Sequence, residues 1–316
     1  MEREEKPKRL VLGTRGSKLA LWQTEAVRRA LKSRFPDMET EVKIIRTVGD
    51  QILNKGLAAI GDKGLFTGEL EQALRKGEID AAVHSMKDVP AAFPAGLGLA
   101  AILPRENPAD VFVGRTASSI RELKKGAVIG TSSLRRRAQV KALRPDIQVV
   151  DVRGNVETRL KKMEKEKLDG ILLAFAGMKR LEFADRITEL LPCEMFLPAV
   201  GQGAIGVECR MASPAWKIMQ ELDDTETRQC VTAERAFLAK LEGGCQVPLG
   251  ALAVMNDGVL TIRGRVLRLD GSVSLEESVR GTPEEAEKTG CALAEKLLAM
   301  GADEILTEIR RTGGNA

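Results

Sequence analysis

Short apolar runs alternate with longer amphipathic segments along the first two thirds of the chain. The runs 9–13, 42–48 and 79–83 are predicted as strands, because they are short, apolar and flanked by polar residues. The segments 17–34 and 66–76 carry apolar residues at helical spacing and are predicted as helices. This alternation predicts βαβ units and a mainly parallel sheet.

A second α/β unit is predicted to begin near residue 108. Its strands are predicted at 127–130, 147–152 and 169–174, and helices follow the first two of them. Another strand is predicted at 204–208, after a glycine-rich stretch that we interpret as a hinge or a crossing between domains. In the first unit, residues 49–64 are predicted as a long loop, a feature that is usually functional in a compact domain.

The pattern changes near residue 225. Helices are predicted at 226–241 and 283–300, and three strand-like runs lie between them at 247–255, 259–268 and 272–280. The turns Asn256-Asp257-Gly258 and Asp270-Gly271 join these runs, which is typical of an antiparallel meander. A separate C-terminal α+β domain, a three-stranded antiparallel sheet with helices, is therefore expected.

Composition excludes several kinds of chemistry. The chain has 316 residues, a formal net charge of +4, one histidine and no tyrosine, so neither a multi-histidine metal site nor a tyrosine general acid is available. The five cysteines have no CxxC spacing, which argues against disulfides and zinc and favours a reducing compartment. Without an apolar signal segment or a spanning run, a cytoplasmic protein with no membrane partner is expected.

Basic residues concentrate between Thr131 and Arg159. This segment holds seven lysines or arginines and three acidic residues, a surplus of +4 that equals that of the whole chain. Arg135 and Arg136 fall in the first turn of a predicted helix, where basic side chains oppose the helix dipole. Backbone N–H groups, hydroxyls and guanidinium groups there favour a polyanionic ligand over a merely solvated basic face. Nucleic acid fits less well, because no aromatic residue lies among the arginines.

Other candidate residues keep a structural alternative. Asp88 follows the predicted strand 79–83. It is interpreted as a general acid–base or a stabiliser of a cation, with a turn or capping residue as the structural alternative. Cys245 lies in a predicted glycine loop. It is interpreted as a nucleophile or covalent anchor, with a packed thiol as the structural alternative. His84 is interpreted as structural. The motif Gly201-x-Gly203-x-x-Gly206 precedes a strand rather than a helix, which disfavours a dinucleotide site.

Taken together, these segments resemble the hydroxymethylbilane synthase family, whose members are also called porphobilinogen deaminases. The resemblance covers nearly the whole chain and is carried by GTRGSKLALWQ (13–23), GDKGLFTGELE (61–71), HSMKDVP (84–90), GTSSLRRRAQ (130–139), RGNVETRL (153–160), LPAVGQGAIGVE (197–208) and AERAFLAKLEGGCQVP (233–248). It implies a transferase that joins four porphobilinogen molecules head to tail with release of ammonia. The chain grows on a dipyrromethane cofactor, and linear hydroxymethylbilane is released by hydrolysis.

The resemblance also implies a role for individual residues. Cys245 would hold the dipyrromethane cofactor as a covalent thioether, and Lys63 and Phe66 would lie at the edge of a loop that covers the active site. The implied catalytic residues are Asp88, Lys87, Arg15, Arg153 and Arg159. The implied cofactor-binding residues are Cys245, Ser17, Lys87, Asp88, Thr131, Ser132, Ser133, Arg135, Arg136, Arg153, Gly154 and Asn155. The implied substrate-binding residues are Arg15, Gln23, Phe66, Arg153, Arg159, Ala174, Arg180 and Gln202.

The fold implied is α/β, with two periplasmic-binding-protein-like α/β domains and the small C-terminal α+β domain. The expected domains are 1–105 with 200–222, which holds Asp88 and the loop, 106–199, which is arginine-rich, and 223–316, which holds Cys245. The expected partner is porphobilinogen, with no metal and no nucleic acid, and the protein is expected to be a cytoplasmic monomer. Two rival classes are a solute-binding protein without chemistry and a nucleic-acid binder.

Overall fold

The computed structural model of the chain describes residues 8–47, 66–241 and 247–312. Its strands are β1 (Arg9–Thr14), β2 (Glu39–Ile44), β3 (Ala81–Ser85), β4 (Leu97–Ile102), β5 (Asp110–Gly114), β6 (Val128–Gly130), β7 (Gln148–Val150), β8 (Gly170–Ala174), β9 (Glu189–Leu191), β10 (Ile205–Arg210), β11 (Leu249–Asn256), β12 (Val259–Leu267) and β13 (Ser274–Gly281). Its α-helices are α1 (Lys18–Arg34), α2 (Gly68–Lys76), α3 (Leu134–Leu143), α4 (Val156–Lys165), α5 (Phe175–Arg180), α6 (Pro214–Gln220), α7 (Thr225–Lys240), α8 (Ala286–Ala299) and α9 (Ala302–Thr312). Short 3-10 helices occur at Met86–Asp88, Ala184–Arg186 and Pro283–Glu285.

Two compact units divide the described residues. The first comprises 8–47, 66–105 and 204–228. Its sheet has the strand order β2-β1-β3-β10-β4, in which β1 is parallel to β2 and β3 while β10 is antiparallel to both neighbours. Alternate residues of β3 face opposite ways, so that Ala81 and Val83 pack with α1 and α6 and Ala82 packs with α2. Helices therefore cover both faces of this sheet.

The second unit comprises 106–203 and the described residues from 229 onward. Its first sheet has the order β7-β6-β8-β5-β9, with β6 parallel to β7 and β8 and with β5 antiparallel to β8 and β9. Val140 of α3 packs on one face and Leu160 of α4 on the other. Both sheets thus have three parallel strands beside an antiparallel fourth strand, which an edge strand flanks.

The same unit contains a second, smaller sheet. The strands β11, β12 and β13 form an antiparallel meander in chain order. Phe237 of α7, Leu293 of α8 and Ile305 of α9 share one core with the apolar face of this sheet. On α7 the core residues Cys230, Ala233 and Phe237 are spaced three or four apart, as a helix with one buried stripe requires.

The predicted fold class is confirmed: two α/β sheets are followed by a three-stranded antiparallel sheet with helices. The prediction of mainly parallel sheets was too simple, because β10 in the first α/β sheet and β5 in the second are antiparallel to both of their neighbours. The strands β4, β5 and β9 and the helices α5 and α6 were missed, since short buried elements show no hydrophobic periodicity. The helix α9 was also missed, although Ala302, Ile305, Leu306 and Ile309 form a buried stripe at helical spacing. The predicted loop 49–64 lies outside the described residues. No helix within residues 8–47, 66–241 and 247–312 is long and apolar enough to cross a membrane.

Candidate active site

Asp88 lies at the carboxyl end of β3, on a single 3-10 turn formed by Met86–Asp88. The N–H of Met86 donates to the Ala204 carbonyl at 3.1 Å, and the N–H of Val89 donates to the Met86 carbonyl at 3.2 Å. Lys87 and Asp88 are both half-buried. A carboxylate held on a tied turn at the end of a sheet strand is in the position where α/β sheets bind their ligands.

The neighbouring strand β1 brings Arg15 and Ser17 to the same edge, because β1 and β3 are parallel and paired. Ser17 caps α1, and its Oγ accepts the N–H of Ala20 at 3.2 Å. The guanidinium of Arg15 lies 4.3 Å from the centroid of the Phe66 ring, a cation–π contact. Three predicted site residues are therefore gathered beside a helix N-terminus, which favours an anionic group.

Gln23, which was predicted to bind substrate, is bonded within the protein. Its side chain is buried, and its Nε2 donates to Ser85 Oγ at 2.8 Å. Ser85 is the last residue of β3, so this bond joins α1 to the start of the Asp88 turn. The arrangement positions the turn; a direct contact of Gln23 with substrate stays a prediction.

In the second unit, Thr131, Ser132 and Ser133 form the entry to α3. Ser133 is the N-cap, and its Oγ accepts the N–H of Arg136 at 3.4 Å. Thr131 Oγ1 accepts the N–H of Ser133 at 3.2 Å. The Ser132 Oγ is buried and has no hydrogen-bond partner in the described structure. An unsatisfied buried hydroxyl at a helix N-terminus is suited to an anionic oxygen supplied by a ligand.

The entry to α4 has a similar form one strand away, because β7 is parallel to β6. Gly154 has a φ of +119°, and a Cβ there would lie 2.7 Å from Thr158 Cγ2, so a glycine is required. Asn155 caps the helix and accepts the Thr158 N–H at 2.8 Å. Arg159 Nε donates to the Gly154 carbonyl at 2.8 Å, and Arg153 lies 3.6 Å from Asp151. Arg153, Arg159 and a second helix N-terminus therefore share this edge.

Arg135 and Arg136 converge on a carboxylate that the sequence did not identify. Arg135 Nη1 donates to Asp110 Oδ2 at 2.6 Å, and Arg136 Nη2 donates to Asp110 Oδ1 at 2.7 Å. The other two nitrogens of Arg136 donate to Asp110 Oδ1 and to the Leu172 carbonyl. Both arginines are 4% exposed and Asp110 is fully buried. Whether either arginine also reaches a cofactor stays a prediction, but both guanidinium groups are already held by the protein.

Gln202 is part of the same Asp110 cluster. Arg180 bonds to the residue after Gln202, and Ala174 pairs with Asp110 across two strands. Gln202 Nε2 donates to Asp110 Oδ1 at 2.9 Å and to the Pro108 carbonyl at 2.7 Å. Arg180 is buried, and its Nη2 donates to the Gly203 carbonyl at 2.7 Å. Ala174 ends β8 directly opposite Asp110. Asp110 thus accepts hydrogen bonds from Arg135, Arg136 and Gln202, predicted site residues from two distant parts of the sequence.

The Asp110 cluster predicts a pH-dependent stability. Burial raises the pKa of the Asp110 carboxyl, but the charges and hydrogen bonds of Arg135 and Arg136 outweigh burial and hold this pKa well below its ordinary value. A carboxyl whose pKa is lower in the folded state stabilises the fold above its unfolded pKa of about 3.9 and loses that contribution as the pH falls further. We expect Asp110→Asn to cost about 3 to 5 kcal/mol at neutral pH, because two buried guanidinium charges lose their counter-ion.

The measurement is urea unfolding of the wild type and Asp110→Asn between pH 7 and pH 2.5. The difference between their free energies of unfolding is expected to stay constant down to about pH 4 and to shrink below it. The comparison removes the titration of the other carboxylates, which both proteins share. A difference that grows on acidification would contradict the assigned direction of the Asp110 pKa.

Cys245 and Lys63 lie outside the described residues, so their predicted roles stay predictions. Residues 242–246 follow α7 in the chain, and Val247, the first described residue after them, is buried. The buried Glu234 of α7 accepts the Gly201 N–H at 2.7 Å and the Ala253 N–H at 2.9 Å. The sequence missed both Asp110 and Glu234, since a single acidic residue beside apolar ones does not reveal distant partners.

Family models match most of the chain. The model described as porphobilinogen deaminase, dipyromethane cofactor binding domain, matches residues 10–217. The model described as porphobilinogen deaminase, C-terminal domain, matches residues 228–299. The chain is 50% identical over 304 residues to the porphobilinogen deaminase of Geobacter metallireducens, covering 96% of this chain and 95% of the relative. It is 47% identical over 309 residues to that of Chlorobaculum parvum, covering 96% and 99%.

Solved structures show weaker similarity. The methionine-binding protein MetQ gives a TM-score of 0.44 at 10% identity, covering 72% of this chain and 95% of that chain. The periplasmic aliphatic sulphonate binding protein SsuA of Escherichia coli gives a TM-score of 0.40 at 16% identity, covering 75% of this chain and 71% of that chain.

Proposed function

The chain belongs to the porphobilinogen deaminase family, and from that premise we propose that it condenses four porphobilinogen molecules into linear hydroxymethylbilane. Each condensation forms one carbon–carbon bond and breaks the carbon–nitrogen bond of an aminomethyl group, with loss of a ring hydrogen as a proton and release of ammonia. One water molecule is consumed when the product is released. The observation that carries the proposal is the match of both family models, in chain order, across 10–217 and 228–299.

The described residues fit the dipyrromethane cofactor of this family. The unpartnered, buried Ser132 Oγ and the N-termini of α3 and α4 suit the carboxylates of such a group. We propose that Thr131, Ser132, Ser133 and Asn155 hold these carboxylates, with Arg153 and Arg159 as cationic partners, and that Cys245 anchors the cofactor covalently. When bound, the cofactor supplies the pyrrole carbon to which the first substrate ring is joined.

Asp88 is the carboxylate that we assign to the reacting ring. Its half-buried position on the 3-10 turn lets it accept a pyrrole N–H and oppose the positive charge that develops on the substrate as ammonia leaves. The same carboxylate can then take the proton that the new bond displaces. Lys87, Arg15 and Ser17 lie at this sheet edge and are proposed to bind the acetate and propionate groups of the ring.

We extend the proposal to the organisation of the protein. The proposed domains are 1–105 with 200–222, 106–199 and 223–316. In that order, they are proposed to carry the catalytic carboxylate, the arginine-rich binding edges and the cofactor anchor. We propose a cytoplasmic monomer that takes porphobilinogen as its substrate and uses neither metal nor nucleic acid. These assignments rest on the family and on the residues quoted above.

The proposal is tested by incubating the purified protein with porphobilinogen. We expect one ammonia for each porphobilinogen consumed and one linear tetrapyrrole for every four, measured by ammonia assay and by mass spectrometry of the rapidly quenched product. A solute-binding protein would bind porphobilinogen without releasing ammonia. That result, obtained with protein that carries the covalent adduct, would contradict the proposed function.

A further inference from the structure

A buried histidine–glutamate pair lies directly before the Asp88 turn. His84 Nε2 is 2.9 Å from Glu208 Oε2, and the two residues are 5% and 0% exposed. His84 is the only histidine of the chain. An ionised Glu208 only accepts hydrogen bonds, and Nε2 of His84 then carries the proton of this bond. The pair therefore ties the end of β3 to the middle of β10.

The sheet register explains why these two side chains meet. His84 is opposite Gly206 and Glu208 is opposite Ala82, so that the histidine and the glutamate are diagonal neighbours on one face. Gly206, the residue opposite His84, has no side chain, and the side chain of Met86 packs over it. A Cβ on Gly206 would lie 2.2 Å from Met86 Sδ. The pair and Met86 thus fix the final residues of β3 onto β10 from the same side.

Stability alone gives this pair no evident purpose. The second oxygen of Glu208, Oε1, is buried and has no hydrogen-bond partner in the described structure. A buried carboxylate with a single hydrogen bond keeps much of its desolvation cost, and apolar residues of similar size commonly stabilise such a position better. The pair instead specifies how β3 and β10 align, since a hydrogen bond fixes the strand register more narrowly than apolar packing does.

We propose that His84 and Glu208 are positioning residues for Asp88, an inference that rests on the proposed function. The Nε2–H···Oε2 bond holds the end of β3 in register with β10. The Met86 N–H bond to the Ala204 carbonyl continues this attachment into the turn. Asp88, two residues further along the turn, then projects its carboxylate from a fixed backbone. Neither His84 nor Glu208 is required to touch the substrate.

Three variants test the proposal in the cofactor-bearing enzyme. Glu208→Leu removes the acceptor, and the double variant His84→Leu/Glu208→Leu replaces the whole pair with apolar side chains that leave no buried donor unpaired. We expect both to keep KM within twofold and to lower kcat by about 10- to 100-fold, because small displacements of a reacting group have effects of that size. Glu208→Gln keeps an oxygen acceptor and is expected to retain most of kcat.

Val207→Ala is the matched control. Val207 lies on the same strand and is fully buried, but its side chain packs on the opposite face of the sheet. We expect it to lower the melting temperature and to leave kcat unchanged. A fall in kcat equal to that of the double variant would overturn the proposal, because general loosening of the sheet would then explain both.

The single histidine allows a direct readout of the bond. In protein labelled with 15N-histidine and purified without a histidine tag, all imidazole signals come from His84. We expect Nε2 to be protonated and its proton to exchange slowly in the wild type and in Glu208→Gln, and this protection to be lost in Glu208→Leu. Unprotected Nε2–H in the wild type would overturn the proposal.

Kinetic outcomes distinguish failure of the positioning role from failure of the proposed function. A folded double variant with the kcat of the wild type would overturn the positioning role and leave the proposed function intact. A wild type that carries the adduct but releases no ammonia would overturn the proposed function, and the positioning role with it.

Discussion

Replacing Asp88 with asparagine is expected to lower kcat by about 100- to 10,000-fold, the range that general acid–base catalysis contributes. Asparagine has nearly the same shape and can still accept a pyrrole N–H through its amide oxygen. It cannot oppose the positive charge that develops as ammonia leaves, and it cannot take up the proton that the new bond displaces. The loss should therefore appear in kcat, with a much smaller change in KM, in steady-state assays of ammonia release.

The opposite end of the same strand offers a matched control. Asp80 precedes β3, and its Oδ2 accepts the N–H of Val11 at 2.8 Å. Asp80→Asn keeps that acceptor and makes the same chemical change at the amino end of the strand, so kcat should stay within about twofold of the wild type, as expected for a change outside the reacting groups. An Asp88→Asn enzyme with a kcat near the wild-type value would remove Asp88 from its proposed role.

Replacing Cys245 with serine is expected to abolish the covalent adduct and to reduce turnover to background. The thioether is a carbon–sulfur bond formed by a thiolate, and a serine hydroxyl is a far weaker nucleophile near neutral pH. Intact mass spectrometry under denaturing conditions should show a mass two pyrrole units above the polypeptide in the wild type. The same measurement on Cys245→Ser should show the polypeptide mass alone.

Cys291→Ser is the control for this change. Cys291 lies half-buried on α8, and its replacement should leave both the adduct and the turnover in place. Loss of the adduct in both variants would point to a general effect of cysteine removal. An adduct that persists in Cys245→Ser would show that another residue is the anchor and would contradict the assignment.

The position of Asp88 after a buried strand was predictable from the sequence, because that position depends on local order. A buried strand that ends at Ser85 and a turn that contains Asp88 are both encoded within a few neighbouring residues. The helix starts near Ser133 and Asn155 were predictable for the same reason, since a helix start is a local signal. These features follow from periodicity and from capping residues without any knowledge of distant contacts.

The environment of the arginines could not be predicted in this way. Arg135 and Arg136 were interpreted as ligand-binding groups at a helix N-terminus, and the structure places both against Asp110. That contact exists because β5, which begins at Asp110, is inserted beside β8, and a strand order of this kind is not visible in a hydrophobic pattern. Glu208 was missed for the same reason, because its partner His84 lies on a strand far away in the chain.

The order of strands in the first sheet also has a consequence for synthesis. The strand β10 lies between β3 and β4, yet the ribosome makes it only after the whole of the second α/β sheet, which is continuous from β5 to β9. When residues 106–191 have emerged, the second sheet has all its strands, while the first still lacks one of its inner strands. The segment that is made first therefore cannot complete its sheet first. Domains usually fold in the order in which they emerge, and here the unit that carries Asp88 must wait for residues made about a hundred positions later.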